Sequence, residues 1–210
     1  MLFVNTHPEL IGKHAVFSPS KHSWLNYDSD EKILKAYMGS FSAQIGTVVH
    51  AYANDKITYK QPMEDNRSER NALLLYLLKA GIPYKVIQLE KIFTNLLPYV
   101  NDAIGYKMTP EALLYYSDYI FGWADAIAFS RNTLRIHDLK TGEGPTSMDQ
   151  LMGYAGLFYI SHKKEAKLEK CKTELRIYQN NEVLIHMPPA YDIAKVMDTI
   201  VHTDFVVSES

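Results

Sequence analysis

Asp125 and the triplet Asp138-Leu139-Lys140 lie on either side of a polar pair, Arg131-Asn132, in the stretch GWADAIAFSRNTLRIHDLKTG. Apolar and small residues flank that pair, so the segment reads as two strands joined by a tight turn centred on it. A symmetric loop of two or four residues sets a register in which Asp125 faces Asp138, with side chains about 5 Å apart. Two facing carboxylates repel each other, and a divalent cation is the economical partner because hard cations prefer carboxylate oxygens. Alternation along the second strand sends Asp138 and Lys140 to one face and Leu139 into the core. The residues alone therefore describe a metal site with an ammonium group beside it.

Several elements must position these groups. The segment up to about residue 30 is irregular, with Ser18 or Ser20 placed to cap a helix carrying Trp24. A helix is expected through residues 31–55, interrupted by Gly39 and Gly46, with His50 near its end. Residues 67–80 show helical periodicity and stop at Gly81 before Pro83. The run YKVIQLEKIF from Tyr84 alternates as a strand or sheet edge would, and PEALLYYS reads as a short helix capped by Thr109 with Pro110 in its first turn. After the hairpin, TGEGPTS is a loop, and a long helix starts at Ser147 and runs to about residue 168. TELRIYQ is a strand, and Pro188-Pro189 precede a C-terminal helix over AYDIAKVMDTIVHT. This order predicts a mixed sheet with helices on its faces, in one domain spanning residues 1–210. Gln150 and Tyr154 share one face of the long helix near its N-terminus, close to the carboxylates and where an anionic phosphate is favoured.

Composition narrows the function. Hydrophobic content of 47% and charged content of 22% suit a soluble globular chain, and no segment approaches the roughly 20 apolar residues of a membrane span. No secretory signal is visible at the N-terminus, and a reducing, cytoplasmic location is expected. Cys171 is the sole cysteine, which excludes an internal disulfide and a cysteine-ligated zinc or iron–sulfur cluster. A net charge of −2 does not announce a nucleic-acid binder, so any DNA contact must be local. Lys163, Lys164, Lys167, Lys170 and Lys172 form a basic stretch interspersed with Glu165 and Glu169, equally well read as a solvated helix face.

Gly46-Thr47-Val48-Val49-His50, Gly122-Trp123-Ala124-Asp125, Asp138-Leu139-Lys140 and Gln150-Leu151-Met152-Gly153-Tyr154 resemble, in order and rough spacing, the GxxxH, GxxD, DxK and QxxxY elements of RecB-like nucleases in the PD-(D/E)XK superfamily. The resemblance covers roughly residues 18–180, and SPSKHSWL and TELRIYQ look like phage-encoded members of that group. It implies an α/β restriction-endonuclease-like core and a metal-dependent DNA nuclease, an exonuclease acting on DNA ends in phage recombination or DNA processing. Asp125 and Asp138 would bind Mg²⁺ or Mn²⁺, joined by the backbone carbonyl of Leu139 and by the imidazole of His50. Lys140 would orient or help deprotonate the attacking water and offset phosphate charge. Gln150 and Tyr154 would shape the site and contact DNA or the lysine. Related enzymes often carry an acid on the strand before the GxxD strand, and Glu90 is the candidate for it. The chain departs from the iron–sulfur members of the family, which need four cysteines. A single-strand annealing or recombination protein and further copies of the chain are the partners such an enzyme would take, in the host cytoplasm if phage-encoded.

Competing readings remain at this level. A structure-specific endonuclease uses the same site. A nuclease fold that only binds nucleic acid or a protein would not require Asp125, Asp138 and Lys140 together. A hydrolase for a small phosphorylated substrate is disfavoured by the absence of a glycine-rich phosphate loop. His7, His14, His22, His137, His162, His186 and His202 have no spacing that argues for metal, and strand alternation turns His137 away from Asp138.

Overall fold

The chain forms an α/β fold around a five-stranded mixed sheet flanked by helices. The computed structural model describes residue 7, residues 15–142 and residues 144–209, so His14 lies outside the described residues. These fall into two compact units, one up to Ala43 and one from Gln44 onward.

In the first unit, Pro19–Asn26 is a 3-10 helix and α1 spans Asp30–Gly39. Ser18 does not cap the 3-10 helix with its side chain; its hydroxyl meets that of Ser20, and its carbonyl accepts from the Trp24 indole N–H at 3.0 Å. Ser29 caps α1 by accepting from the Lys32 amide. The expected helix over 31–55 breaks after Gly39, and α2, Ser42–Thr58, which from Gln44 on belongs to the second unit, then continues through Gly46.

The second unit carries the sheet. Helix α3 covers Arg67–Lys79, with Asn66 capping the Glu69 amide and Gly81 at φ +81° just beyond it. Residues 84–93 do not form the expected strand: Tyr84–Val86 is a 3-10 turn, and α4 runs Leu89–Gly105. Ile92, Phe93, Leu96, Tyr99, Val100 and Ala103 make its buried stripe, so the helical period wins over the short alternation at its start. PEALLYYS is not a helix. It lies in β1, Thr109–Ser117, because pairing with β2, Ile120–Ser130, satisfies its backbone and Leu114 reaches the core.

Strand β3 is Thr133–Leu139, joined to β2 by Arg131 and Asn132, both at positive φ as a type I′ turn requires. The ladder runs from Ser130↔Thr133 to Ala126↔His137, in the expected hairpin register. Helix α5, Asp149–Ser161, is shorter than expected and ends before the lysine-rich run. Strand β4, Lys172–Gln179, pairs parallel to β3. A second left-handed pair, Asn180-Asn181, turns the chain into β5, Glu182–His186, an edge strand unforeseen from the sequence. Helix α6 is Ala190–Ser208. No described helix is long and apolar enough to cross a membrane.

The sheet has two different faces. On one, Leu134, Ile136, Leu175 and Ile177 pack with α5, and Tyr159 hydrogen-bonds Thr173 at 2.9 Å. On the other, α4 covers a polar network. The Tyr178 hydroxyl donates to Asp102 at 2.6 Å, so the His137 Nδ1–H must donate to Tyr178 at 3.1 Å. That leaves His137 Nε2 buried without a partner, while Arg176 reaches Asp102 at 2.7 Å and Arg135 stacks on Tyr106.

Burial, followed by the charges of Arg176 and Arg135, pushes the His137 imidazole from 6.5 down to about 3. Between those values the unfolded chain takes up a proton that the folded chain rejects, so this residue lowers stability as pH falls. Denaturant titrations should therefore show His137→Gln losing less stability than the parent from pH 7 to pH 5, by on the order of 2 kcal/mol. Equal losses would mean that the folded protein takes up this proton as readily as the unfolded chain, so that the imidazole is not held neutral.

Candidate metal centre

Strand β2 changes face at Asp125. Before it, Gly122 and Ile120 face α5 and α6; after it, Ile127 and Phe129 do, Phe129 with its ring 5.3 Å from that of Phe158. A regular strand would keep one parity throughout. The switch coincides with Glu111 on β1, which has φ +48° and occupies the position matching Asp125 between the pairs Pro110↔Ala126 and Ala112↔Ala124. Such irregularities re-aim side chains beside functional sites.

The β2–β3 ladder also ends one pair short of Asp125 and Asp138. Instead of a strand partner, the Leu139 amide donates to Asp125 Oδ2 at 3.0 Å. The two aspartates thus do not face each other as a ladder pair. From α2, His50 Nδ1 lies 3.4 Å from Asp125 Oδ2. His50, Glu111 and Asp125 each offer a ligand atom, all within 4.8 Å of one another. Burial, opposed by His50 and assisted by Asp138, pushes the Asp125 carboxyl up to about 6; the Leu139 amide pulls it down and Glu111 raises it.

Asp138 is buried and engaged by Lys140. The ammonium lies 3.1 Å from Oδ1, to which it donates, and 3.0 Å from Oδ2, whose contact is one of charge without hydrogen-bond geometry. The same ammonium donates to Gln150 Oε1 at 3.0 Å, and Gln150 Nε2 donates to the Tyr154 hydroxyl at 3.2 Å. Beneath the site, burial and then the charges of Asp125, Asp138 and Glu111 hold the Tyr99 hydroxyl well above its usual range.

Two glycines permit the close packing. A Cβ on Gly122 would lie 2.7 Å from Tyr154 Cε1, and one on Gly46 would lie 3.3 Å from Thr141 Oγ1. The first distance is forbidden; the second brings α2 tightly against the chain just after Lys140.

Of the residues expected at the site, the structure forms two groups: Asp125 lies with His50, and with Glu111, inside 4.8 Å, while Asp138, Lys140, Gln150 and Tyr154 form a separate chain of polar contacts. The Leu139 amide, bonded to Asp125, joins the two, and Asp138 is not among the clustered ligand atoms. Glu90 belongs to neither group. That residue sits in the first turn of α4 and pairs with Arg70 at 3.0 Å. Glu111 is hidden in the sequence, because its segment carries the pattern of a helix capped by Thr109. A symmetric hairpin about Asp118-Tyr119 would have placed Ala112 opposite Asp125, and the irregularity between Tyr115 and Ser117 shifts the register by one.

Compared with protein-family models, curated proteins and solved structures, the chain finds no match.

The contact at Gly122 is testable. Gly122→Ala should destabilise the protein by about 1–3 kcal/mol through overpacking, as judged by thermal melting. In Gly122→Ala/Tyr154→Ala the loss should be clearly smaller than the sum of the single losses, and strict additivity would place the clash elsewhere.

Proposed function

We propose that this chain is a divalent-metal-dependent deoxyribonuclease with a restriction-endonuclease-like core, of the RecB-like type, acting as an exonuclease on DNA ends. One observation carries the reading: Asp125 lies with His50 and Glu111 inside 4.8 Å and accepts from the amide of Leu139, whose two chain neighbours, Asp138 and Lys140, are bonded to each other, with Gln150 on the same ammonium. A solvated surface hairpin has no reason to gather an imidazole, three acids and a lysine around one strand end.

The donor set fits a hard or borderline cation, since carboxylates suit Mg²⁺ and an imidazole makes Mn²⁺ acceptable. In this reading Asp125, Asp138, the Leu139 carbonyl and His50 hold the ion, and Glu111 joins them. The Asp138 Oδ2 atom, buried without a hydrogen-bond donor, supports that role. Bound there, the ion supplies a water nucleophilic near neutral pH and Lewis acidity toward the phosphate. Lys140 presents positive charge to the phosphodiester, Gln150 fixes the ammonium, and Tyr154 fixes Gln150. The Leu139 amide keeps the Asp125 carboxylate oriented.

Cleavage of end-labelled linear DNA should need Mg²⁺ or Mn²⁺ and stop in EDTA. Asp138→Ala and Lys140→Ala should each lower it on the order of a hundredfold, the lysine variant with metal binding retained. Activity surviving both EDTA and Asp138→Ala would overturn the mechanism, whereas cutting of covalently closed circles would make the enzyme an endonuclease. DNA binding without any cleavage would favour the binding-module reading.

Calorimetric titration with Mn²⁺ separates the ligands. His50→Ala and Glu111→Gln should each weaken binding on the order of tenfold or more. An unchanged isotherm for either variant would remove that residue from the ligand set.

A further inference from the structure

The β1–β2 hairpin has one covered and one bare face. Leu114, Gly122 and Ile120 turn toward α5 and α6, so the alternate positions Leu113, Tyr115, Phe121 and Trp123 turn away from them. These four are 48%, 49%, 56% and 53% exposed. Leu113 pairs directly with Trp123 and Tyr115 with Phe121, the latter two rings stacking at 6.5 Å with an interplanar angle of 29°. The result is a flat, mostly aromatic strip.

Its position is specific. Trp123 precedes Asp125 by two residues on β2, and Leu113 follows Glu111 by two on β1. Two residues of strand advance about 7 Å, so the strip begins where the candidate ligands end. At its far tip the Tyr115 hydroxyl donates to Asp118 at 2.8 Å, placing a negative charge there.

We propose that this strip is a stacking platform for the bases of a single-stranded DNA end, leading the strand into the site formed by Asp125 and Glu111. The inference rests on the nuclease reading for its choice of nucleic acid. Aromatic faces accept any base, which suits a strand entering without regard to sequence. A second copy of the chain is a poorer occupant. Four half-exposed side chains offer roughly 300–400 Å², about half of the ~800 Å² per partner that a stable interface buries. Asp118 marks the outer limit of the strip, because it repels phosphate and so stops the strand beyond Phe121 and Tyr115.

The test is binding of a short labelled oligothymidylate, followed by fluorescence anisotropy in EDTA so that cleavage plays no part. Trp123→Ala and Phe121→Ala should each weaken it about tenfold, while Trp123→Tyr stays within about threefold of the parent. In a Trp24→Phe background, where Trp123 is the remaining tryptophan, the oligonucleotide should quench emission. Far-UV circular dichroism and an unaltered Mn²⁺ isotherm certify that the variants are folded. Unchanged affinity in Trp123→Ala overturns the proposal, and so does concentration-dependent self-association that Trp123→Ala abolishes. Single-strand binding through Trp123 in a protein that cuts no DNA would overturn the nuclease reading and leave the platform standing. Normal end-cutting with oligonucleotide affinity indifferent to Trp123 would do the reverse.

Discussion

Where β2 parts from β3, the amide of Leu139 loses its strand partner and takes the Asp125 carboxylate instead, at 3.0 Å. A backbone N–H left bare inside a protein is expensive, so this bond compensates for ending the ladder. It also pins the carboxylate at the mouth of the gap. His50 from α2 and Glu111 from the neighbouring strand β1 lie beside it, while Asp138 is held by Lys140, whose ammonium also bonds Gln150 of α5. The other arrangements at the site follow from this split.

Maintaining the split requires irregular backbone on both flanks. Glu111 accepts a left-handed conformation that costs a non-glycine residue about 1–2 kcal/mol, and it does so at the position matching Asp125. Gly122 leaves room for the Tyr154 ring, which supports Gln150 and through it the ammonium of Lys140. Below, α4 seals the opposite face with the network of Asp102, Tyr178, Arg176 and His137, fixing β3 and β4 from behind. Burial of the acids has its own consequence. An Asp125 carboxyl raised to about 6 carries its charge at some cost, the condition under which a cation or a proton is most strongly drawn.

How much of this was legible in the chain depends on how local each signal was. The hairpin was legible because its turn, its flanking apolar residues and its symmetry are contained in a few residues. Helix α3 and the start of α6 announced themselves through caps, periodicity and proline. Helix α4 was hidden by a few alternating residues at its start and by Pro98 in its interior, although its buried stripe keeps the helical period. Strand β1 was hidden by Thr109-Pro110 and by the helix-favouring Glu111-Ala112-Leu113-Leu114. Only its neighbour β2 makes that sequence extend, so the acid that joins the site is Glu111 and not Glu90, which pairs with Arg70.

Residue types and spacing determined by themselves that two aspartates, a lysine and a glutamine–tyrosine pair would be carried on a hairpin and the helix after it, since strand alternation and helical periodicity are properties of the local chain. Only the tertiary structure decided that Asp125 bonds an amide rather than facing Asp138, that Glu111 joins His50 beside it, and that the aromatic residues of β1 and β2 form one bare strip. Those outcomes turn on where a ladder stops and which face a helix covers, and both are settled by contacts between segments far apart in sequence.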